Sequence, residues 1–257
     1  VSITSELSAD GRVATWWLDR VESRNAISLD MWKKLNELSE VARANGEIRV
    51  LVIRGRGGHF SSGADIANLG RTLAADHDGS NYRAVNAAAE HAIASLPFPT
   101  IAAIEGFCVG GGVQIALACD LRVASTTAQF GVTPARLGIA YPAAALQRLV
   151  ATVGTATSRE ILFLADIFDA STALNWGLIN SVHEDLDLAI DQLLTTLISR
   201  SAFSQSAAKA VLNHLVEARD VSELGAALEL ASLDSADLTE GLAAFSAKRS
   251  PNFGARS

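Results

Sequence analysis

Glu105-Gly106-Phe107-Cys108-Val109-Gly110-Gly111-Gly112-Val113-Gln114 is the stretch on which the fold turns. It follows Thr100-Ile101-Ala102-Ala103-Ile104, an apolar run that reads as a strand buried on both faces. After the glycines an apolar segment continues to Cys119 and reads as a helix starting near Gly111. An earlier stretch has the same plan. Ile48 to Ile53 is a second buried-type strand, Gly55-Arg56-Gly57-Gly58 ends it, and His59-Phe60-Ser61-Ser62-Gly63-Ala64-Asp65-Ile66 follows. Small residues let a ligand approach the backbone, and free N–H groups at a helix start attract negative charge. Two such donors aimed at one point would make an oxyanion hole, each worth about 3 kcal/mol in a transition state. The glycine run is neither a GxGxxG dinucleotide fingerprint nor a P-loop, since no Lys-Ser/Thr follows it.

Working outward, the first half alternates strands and helices. Arg12 to Leu18 is β-rich. Ser28 or Asp30 caps a helix to about Ala44, with Met31, Leu35, Leu38 and Val41 on its apolar face. A helix from about Tyr82 to Leu96 is closed by Pro97 and Pro99, and Leu121 to Ala124 is a further strand. From Pro142 the chain turns mostly helical, with a short strand at Leu178 to Val182 and continuous helix expected from Phe203 to Lys248. The fold class is therefore α/β with a helical C-terminal region.

Composition narrows the function. The 257 residues carry 21 Lys+Arg against 28 Asp+Glu, a net charge of −7, with no basic run, which argues against nucleic acid as the main partner. At 49% hydrophobic and 19% charged the chain is globular, with no apolar stretch long enough to span a bilayer. Two cysteines eleven positions apart make no disulfide framework or zinc pattern and fit a reducing cytoplasmic setting. The start of the chain shows no secretory signal pattern. The five histidines are scattered without metal spacing.

At its two glycine-containing loops the sequence resembles the crotonase superfamily of enoyl-CoA hydratases and isomerases. Arg24-Asn25-Ala26 is similar to that family's adenine-side segment, and Phe60 to Ile66 to its first oxyanion motif. Gly106 to Asp120 is similar to the second motif, and Phe130-Gly131 through Gly138 to the next active-site loop. Ala173 to Asn180 and the segment from Glu240-Gly241 to Phe253 complete the pattern. The resemblance implies a crotonase-like spiral of ββα turns over 1–200 and a helical trimerisation region over 201–257. It implies an acyl-CoA thioester as substrate, coenzyme A being part of that substrate, with no separate cofactor and no metal. It implies a homotrimer or a dimer of trimers. The backbone N–H groups of Ala64 and Gly111 match the thioester-oxygen donors. Arg24, Ala26, Ala64, Asp65 and Ile66 match CoA-binding positions. Phe245 and Lys248 match a pair that reaches CoA from a neighbouring subunit.

The pattern departs at the proton-transfer positions. The two carboxylates that hydratases use fall at Gln114 and Pro134. An amide is no general base near neutral pH, and proline has no functional side chain. Thr133-Pro134, Gly138 and Tyr141 resemble the methylmalonyl-CoA decarboxylase branch, where the matching tyrosine lies in the active site, although that branch has histidine where Ala64 stands. Decarboxylation needs no base, because the breaking C–C bond supplies the electrons. Ala64, Gly111, Tyr141 and Gln114 are thus the candidate catalytic residues, with decarboxylation of a malonyl-type thioester favoured. The alternatives are a hydratase or isomerase with displaced acid/base groups, for instance Asp65 or Glu105, and an acyl-CoA-binding protein without catalysis. The acyl pocket is expected among Leu69 to Val85.

Overall fold

The computed structural model describes residues 2–66 and 80–254, so most of the expected acyl-pocket stretch lies outside the described residues. β1 (Ile3–Leu7) and β2 (Val13–Leu18) pair antiparallel. β3 (Val50–Gly55), β4 (Thr100–Ile104), β6 (Leu121–Ser125) and β9 (Ser181–His183) then join in parallel, giving the order β1-β2-β3-β4-β6-β9. A smaller sheet is built from β5 (Phe107–Val109), β7 (Gln129–Gly131) and β8 (Phe168–Asp169), in the order β5-β7-β8. Parallel neighbours need a crossover. The two later crossovers also deposit short strands in the second sheet, β5 where β4 runs into α3 (Gly111–Ala118), and β7 and β8 between β6 and β9.

Strand alternation divides the interior in two. Leu51, Ile53, Ala102 and Ile104 face a large core with Trp16, Leu18 and Leu35. Val50, Val52, Ile101 and Ala103 point the other way, against Leu186, Ala189 and Ile190 of α6 (Leu186–Ile198). β3 and β4 are therefore apolar at nearly every position, and each fully buried Ile or Leu stabilises the fold by about 1.5–3 kcal/mol.

α1 (Leu29–Ala44) begins where Ser28 Oγ accepts the Met31 N–H at 3.3 Å. Its buried face is Met31, Trp32, Leu35, Ser39 and Ala42. Val41, expected on that face, is 67% exposed, because at 100° per residue position 42, not 41, returns to the azimuth of Leu35. α2 (Ser80–Ala94) packs against α1.

Beyond β7 come α4 (Ala143–Leu164), α5 (Ala170–Asn175), α6, α7 (Ala202–Val216), α8 (Ser222–Leu233) and α9 (Ala236–Ser246). The helix expected without a break over Phe203 to Lys248 is three helices. Ser201 Oγ and Ser235 Oγ each accept an N–H in the first turn, restarting the chain at α7 and α9. Asp237 ties α9 to the start of α7 by accepting from Ser201 Oγ at 2.6 Å. The last parallel strand begins at Ser181, three residues after the expected start, because Leu178 and Ile179 are core side chains in the preceding turn. Buried Arg49 closes the C-terminal region by donating to the Arg200 and Gly254 carbonyls at 2.7 and 2.8 Å. Cys108 and Cys119 are free and fully buried, and burial pushes the Cys119 thiol up to about 12. Among the described residues no helix is long and apolar enough to cross a membrane.

Candidate active site

Two backbone bridges stitch the loops together. Ile27 donates to the Gly63 carbonyl at 2.7 Å, and Asp65 donates to the Ile27 carbonyl at 3.0 Å. Ser61 donates to the Phe107 carbonyl at 2.7 Å, and Val109 donates to the Ser61 carbonyl at 3.0 Å. The first bridge uses the groups flanking Ala64 and leaves the Ala64 N–H facing away from it. Two glycines make the approach possible. Gly63 has φ +104°, and a Cβ there would lie 3.1 Å from the Val109 carbonyl oxygen. Gly110 has φ 50° with ψ −107°, a conformation that a side chain would strain, and it turns the chain into α3.

The result is close placement of Ala64 and Gly111. A Cβ built on Gly111 would sit 3.6 Å from the Ala64 nitrogen and 3.5 Å from Cζ2 of Trp32. Neither N–H meets an acceptor among the described residues. Gly111 opens α3, so its donor carries the positive end of the helix dipole. Ala64 and Gly111 are thereby brought together as expected for a pair of oxyanion donors.

A polar wall stands beside them. Tyr141 donates its hydroxyl to the Gly110 carbonyl at 3.0 Å. Gln114, buried in the first turns of α3, accepts from Asn86 Nδ2 at 2.9 Å and lies beside the Tyr141 hydroxyl. Burial, then the Glu90 charge, holds the Tyr141 phenol well above its usual range, so it stays protonated. Glu90 is fully buried, with Oε2 on Arg148 Nη1 at 2.9 Å and Oε1 without a hydrogen-bond partner among the described residues. Burial raises its carboxyl to about 7 against the opposing pull of Arg148. Tyr82, Asn86 and Glu90 recur every four residues on one face of α2, and Tyr82 receives the Trp32 indole N–H at 3.3 Å. Sequence reasoning missed Asn86, Glu90 and Arg148. The four-residue polar spacing on an otherwise apolar helix was the available signal.

The CoA-side positions cluster on the other flank. Arg24 has φ 50°, its carbonyl accepts the Ser62 N–H at 2.9 Å, and its guanidinium lies 5.4 Å from the Phe107 ring centroid. Arg20 Nη1 binds the Ala26 carbonyl at 2.8 Å and Asp65 Oδ2 at 2.9 Å. Asp65 is thus committed to an ion pair. Ile66 is half exposed at the edge of the described stretch. His59 is a lock, its Nδ1 accepting the Phe107 N–H at 3.2 Å while the rings stack. Glu105 lies 3.9 Å from Arg54. Pro134 starts a 3-10 turn over Pro134–Arg136. Phe245, 85% exposed, and Lys248 sit at the far C-terminal end, and among the described residues no hydrogen bond joins them to this cluster. The described residues hold no group of three or more His, Cys, Asp or Glu placed to take a metal.

Two peptide N–H groups at the ends of two glycine loops thus lie close together in an α/β fold. The family model described as enoyl-CoA hydratase/isomerase matches residues 9–256, and the chain belongs to that family. It is 32% identical to the mitochondrial methylglutaconyl-CoA hydratase of Rattus norvegicus over 254 residues, covering 92% of this chain and 77% of the relative. It is 31% identical to the peroxisomal Δ(3,5)-Δ(2,4)-dienoyl-CoA isomerase of Arabidopsis thaliana over 264 residues, covering 96% of this chain and 94% of the relative. A crystal structure of an enoyl-CoA hydratase/isomerase family protein from Hyphomonas neptunium superposes with a TM-score of 0.94 at 36% identity, over 100% of this chain and 98% of that one. Crotonase-superfamily membership and the fold expected from the sequence are both borne out.

Proposed function

We propose that the protein binds an acyl-CoA thioester with its carbonyl oxygen on the Ala64 and Gly111 N–H groups and stabilises the enolate that forms there. The observation that carries this reading is the approach of those two donors, 3.6 Å between the Ala64 nitrogen and a Cβ built on Gly111. The favoured reaction is decarboxylation of a malonyl-type thioester. Its support is negative at two positions and positive at one. Gln114 is an amide held by Asn86, Pro134 has no functional group, and the oxyanion pair is intact. In the step, the electron pair of the bond between Cα and the carboxylate moves onto the thioester oxygen and CO2 leaves. Water then protonates Cα. No metal or redox cofactor is required for this step. Tyr141 does not serve as the proton source in this reading, since its hydroxyl is bonded to Gly110.

A second reading is hydration or isomerisation with a displaced acid/base. Glu90 favours it, as a buried carboxyl with one oxygen unpartnered and an affinity for protons near neutrality. The hydratase and isomerase names of the relatives weigh the same way. The test is a panel of malonyl-CoA, methylmalonyl-CoA and crotonyl-CoA. CO2 release with slow hydration supports the first reading. Rapid crotonyl-CoA hydration, lost in Glu90→Gln, replaces it with the second. Tight binding without turnover of any of the three rejects both.

Assembly as a homotrimer or a dimer of trimers belongs to this reading. Leu230, Leu233, Leu242 and Phe245 are each at least 60% exposed on α8 and α9, which supports a covered face there. The two buried, unpaired thiols support a cytoplasmic setting.

A further inference from the structure

Gly110 supplies a carbonyl and Gly111 an N–H to the same peptide unit. That N–H is one of the two donors aimed at the thioester oxygen, and the carbonyl accepts the Tyr141 hydroxyl at 3.0 Å. A hydrogen bond to a peptide oxygen draws electron density out of the amide and strengthens its N–H as a donor. The chain extends further back. Asn86 Nδ2 donates to Gln114 Oε1 at 2.9 Å. Gln114 then has only its Nε2 left to offer the Tyr141 oxygen, the neighbour that its side chain faces. A donation from Gln114 Nε2 to Tyr141 would join the two observed bonds, Asn86 to Gln114 and Tyr141 to Gly110, into one series running toward the oxyanion site.

We propose that Gln114 and Tyr141 are positioning residues, which orient and polarise the Gly110–Gly111 peptide through this relay and so strengthen its grip on a developing enolate. The inference rests on the oxyanion reading above and deepens it. It gives a reason for an amide at position 114. An amide accepts at one end and donates at the other, so it passes the sense of the chain along. An ionised carboxylate accepts at both ends. Glutamate there would accept the Tyr141 hydrogen bond and draw the hydroxyl away from Gly110. Glu90 works in the same direction as the amide, since its nearby charge opposes phenolate formation and keeps Tyr141 a donor. The other groups facing Tyr141 are Gln114 and the buried Cys108 thiol, while Arg148 pairs with Glu90.

The test uses cinnamoyl-CoA as a chromophoric thioester whose absorption moves to longer wavelength when its carbonyl is polarised. Wild type, Tyr141→Phe and Gln114→Glu are compared for binding, absorption maximum, and kcat and KM on the best substrate of the panel, with circular dichroism reporting the fold. The expected result is a red shift in wild type that is clearly smaller in both variants, with kcat down about three- to ten-fold and KM nearly unchanged. The two losses should not add in the double variant, because one relay is broken twice. An equal red shift in wild type and a folded Tyr141→Phe overturns the relay while leaving the oxyanion reading in place. If Tyr141→Phe fails to fold, Gln114→Glu alone decides in the same way. No red shift on a bound wild-type complex, or no binding of cinnamoyl-CoA or any panel thioester, overturns the oxyanion reading and the relay with it.

Discussion

Arg148 Nη1 meets Glu90 Oε2 at 2.9 Å inside the protein, and the second oxygen of Glu90 has no hydrogen-bond partner among the described residues. A half-satisfied buried carboxylate is costly when ionised. The folded-state affinity of Glu90 for a proton is raised from 4.5 to about 7, so the folded protein binds more protons than the unfolded chain between those values. Stability therefore falls as pH rises through that window, by an amount on the order of 3 kcal/mol for this group. Urea unfolding at pH 5 and pH 8 should show a drop toward pH 8 that is smaller in Glu90→Gln. An identical drop in the variant would assign it to other groups.

Gly110 sits at φ 50° and ψ −107°, with a Cβ position 3.8 Å from the Gly63 Cα. There is room for a methyl group, so Gly110→Ala is expected to act through backbone strain rather than a clash. The cost should be about 1–3 kcal/mol of stability. The larger effect should be on kcat, which falls by at least ten-fold as the Gly111 donor turns away, in line with the roughly 10²-fold loss for a whole donor. A variant that loses stability but keeps full kcat would separate this glycine from the reaction.

Arg49 is almost fully buried and binds two carbonyls from the C-terminal region, those of Arg200 and Gly254. Arg49→Met keeps much of the volume and removes both charged donors. Leaving buried carbonyls unpaired costs about 1–3 kcal/mol each. The expected outcome is a lower urea midpoint with an unchanged slope, and faster proteolysis at the C-terminus than elsewhere.

Phe245 is 85% exposed at the end of α9, in a stretch that also exposes Leu238 and Leu242. If that face is covered by another copy, Phe245→Asp should shift the mass measured by light scattering toward the monomer. A monomeric wild type would remove the trimer from the proposed function.

Much of this was readable in the chain. The apolar runs at Val50–Gly55 and Thr100–Ile104 fixed the parallel strands, because residues buried on both faces leave no polar alternation. The loops carrying Ala64 and Gly111 were legible from small residues between strand and helix. The short strands β5, β7 and β8 were not, since two or three residues carry no period, and these strands exist through pairing with distant partners. The single long C-terminal helix failed for a related reason: Ala and Leu propensity runs across the breaks at Ala218, where φ is 55°, and at the Ser235 cap.

By itself, then, the sequence determined the alternating strands and helices of the core and the two glycine loops, while its resemblance to the crotonase superfamily implied the spiral and marked Gln114 and Pro134 as lacking carboxylates. These depend on residue identity and local periodicity, which the chain carries openly. Only the tertiary structure decided that Tyr141 addresses Gly110, that Asn86 orients Gln114, and that Glu90 is buried with one oxygen unsatisfied. Those relations join residues 28 to 58 positions apart on separate elements. A hydrogen bond is fixed within a few tenths of an ångström, and no local pattern encodes which side chains the packing of α2, α3 and α4 brings to that distance.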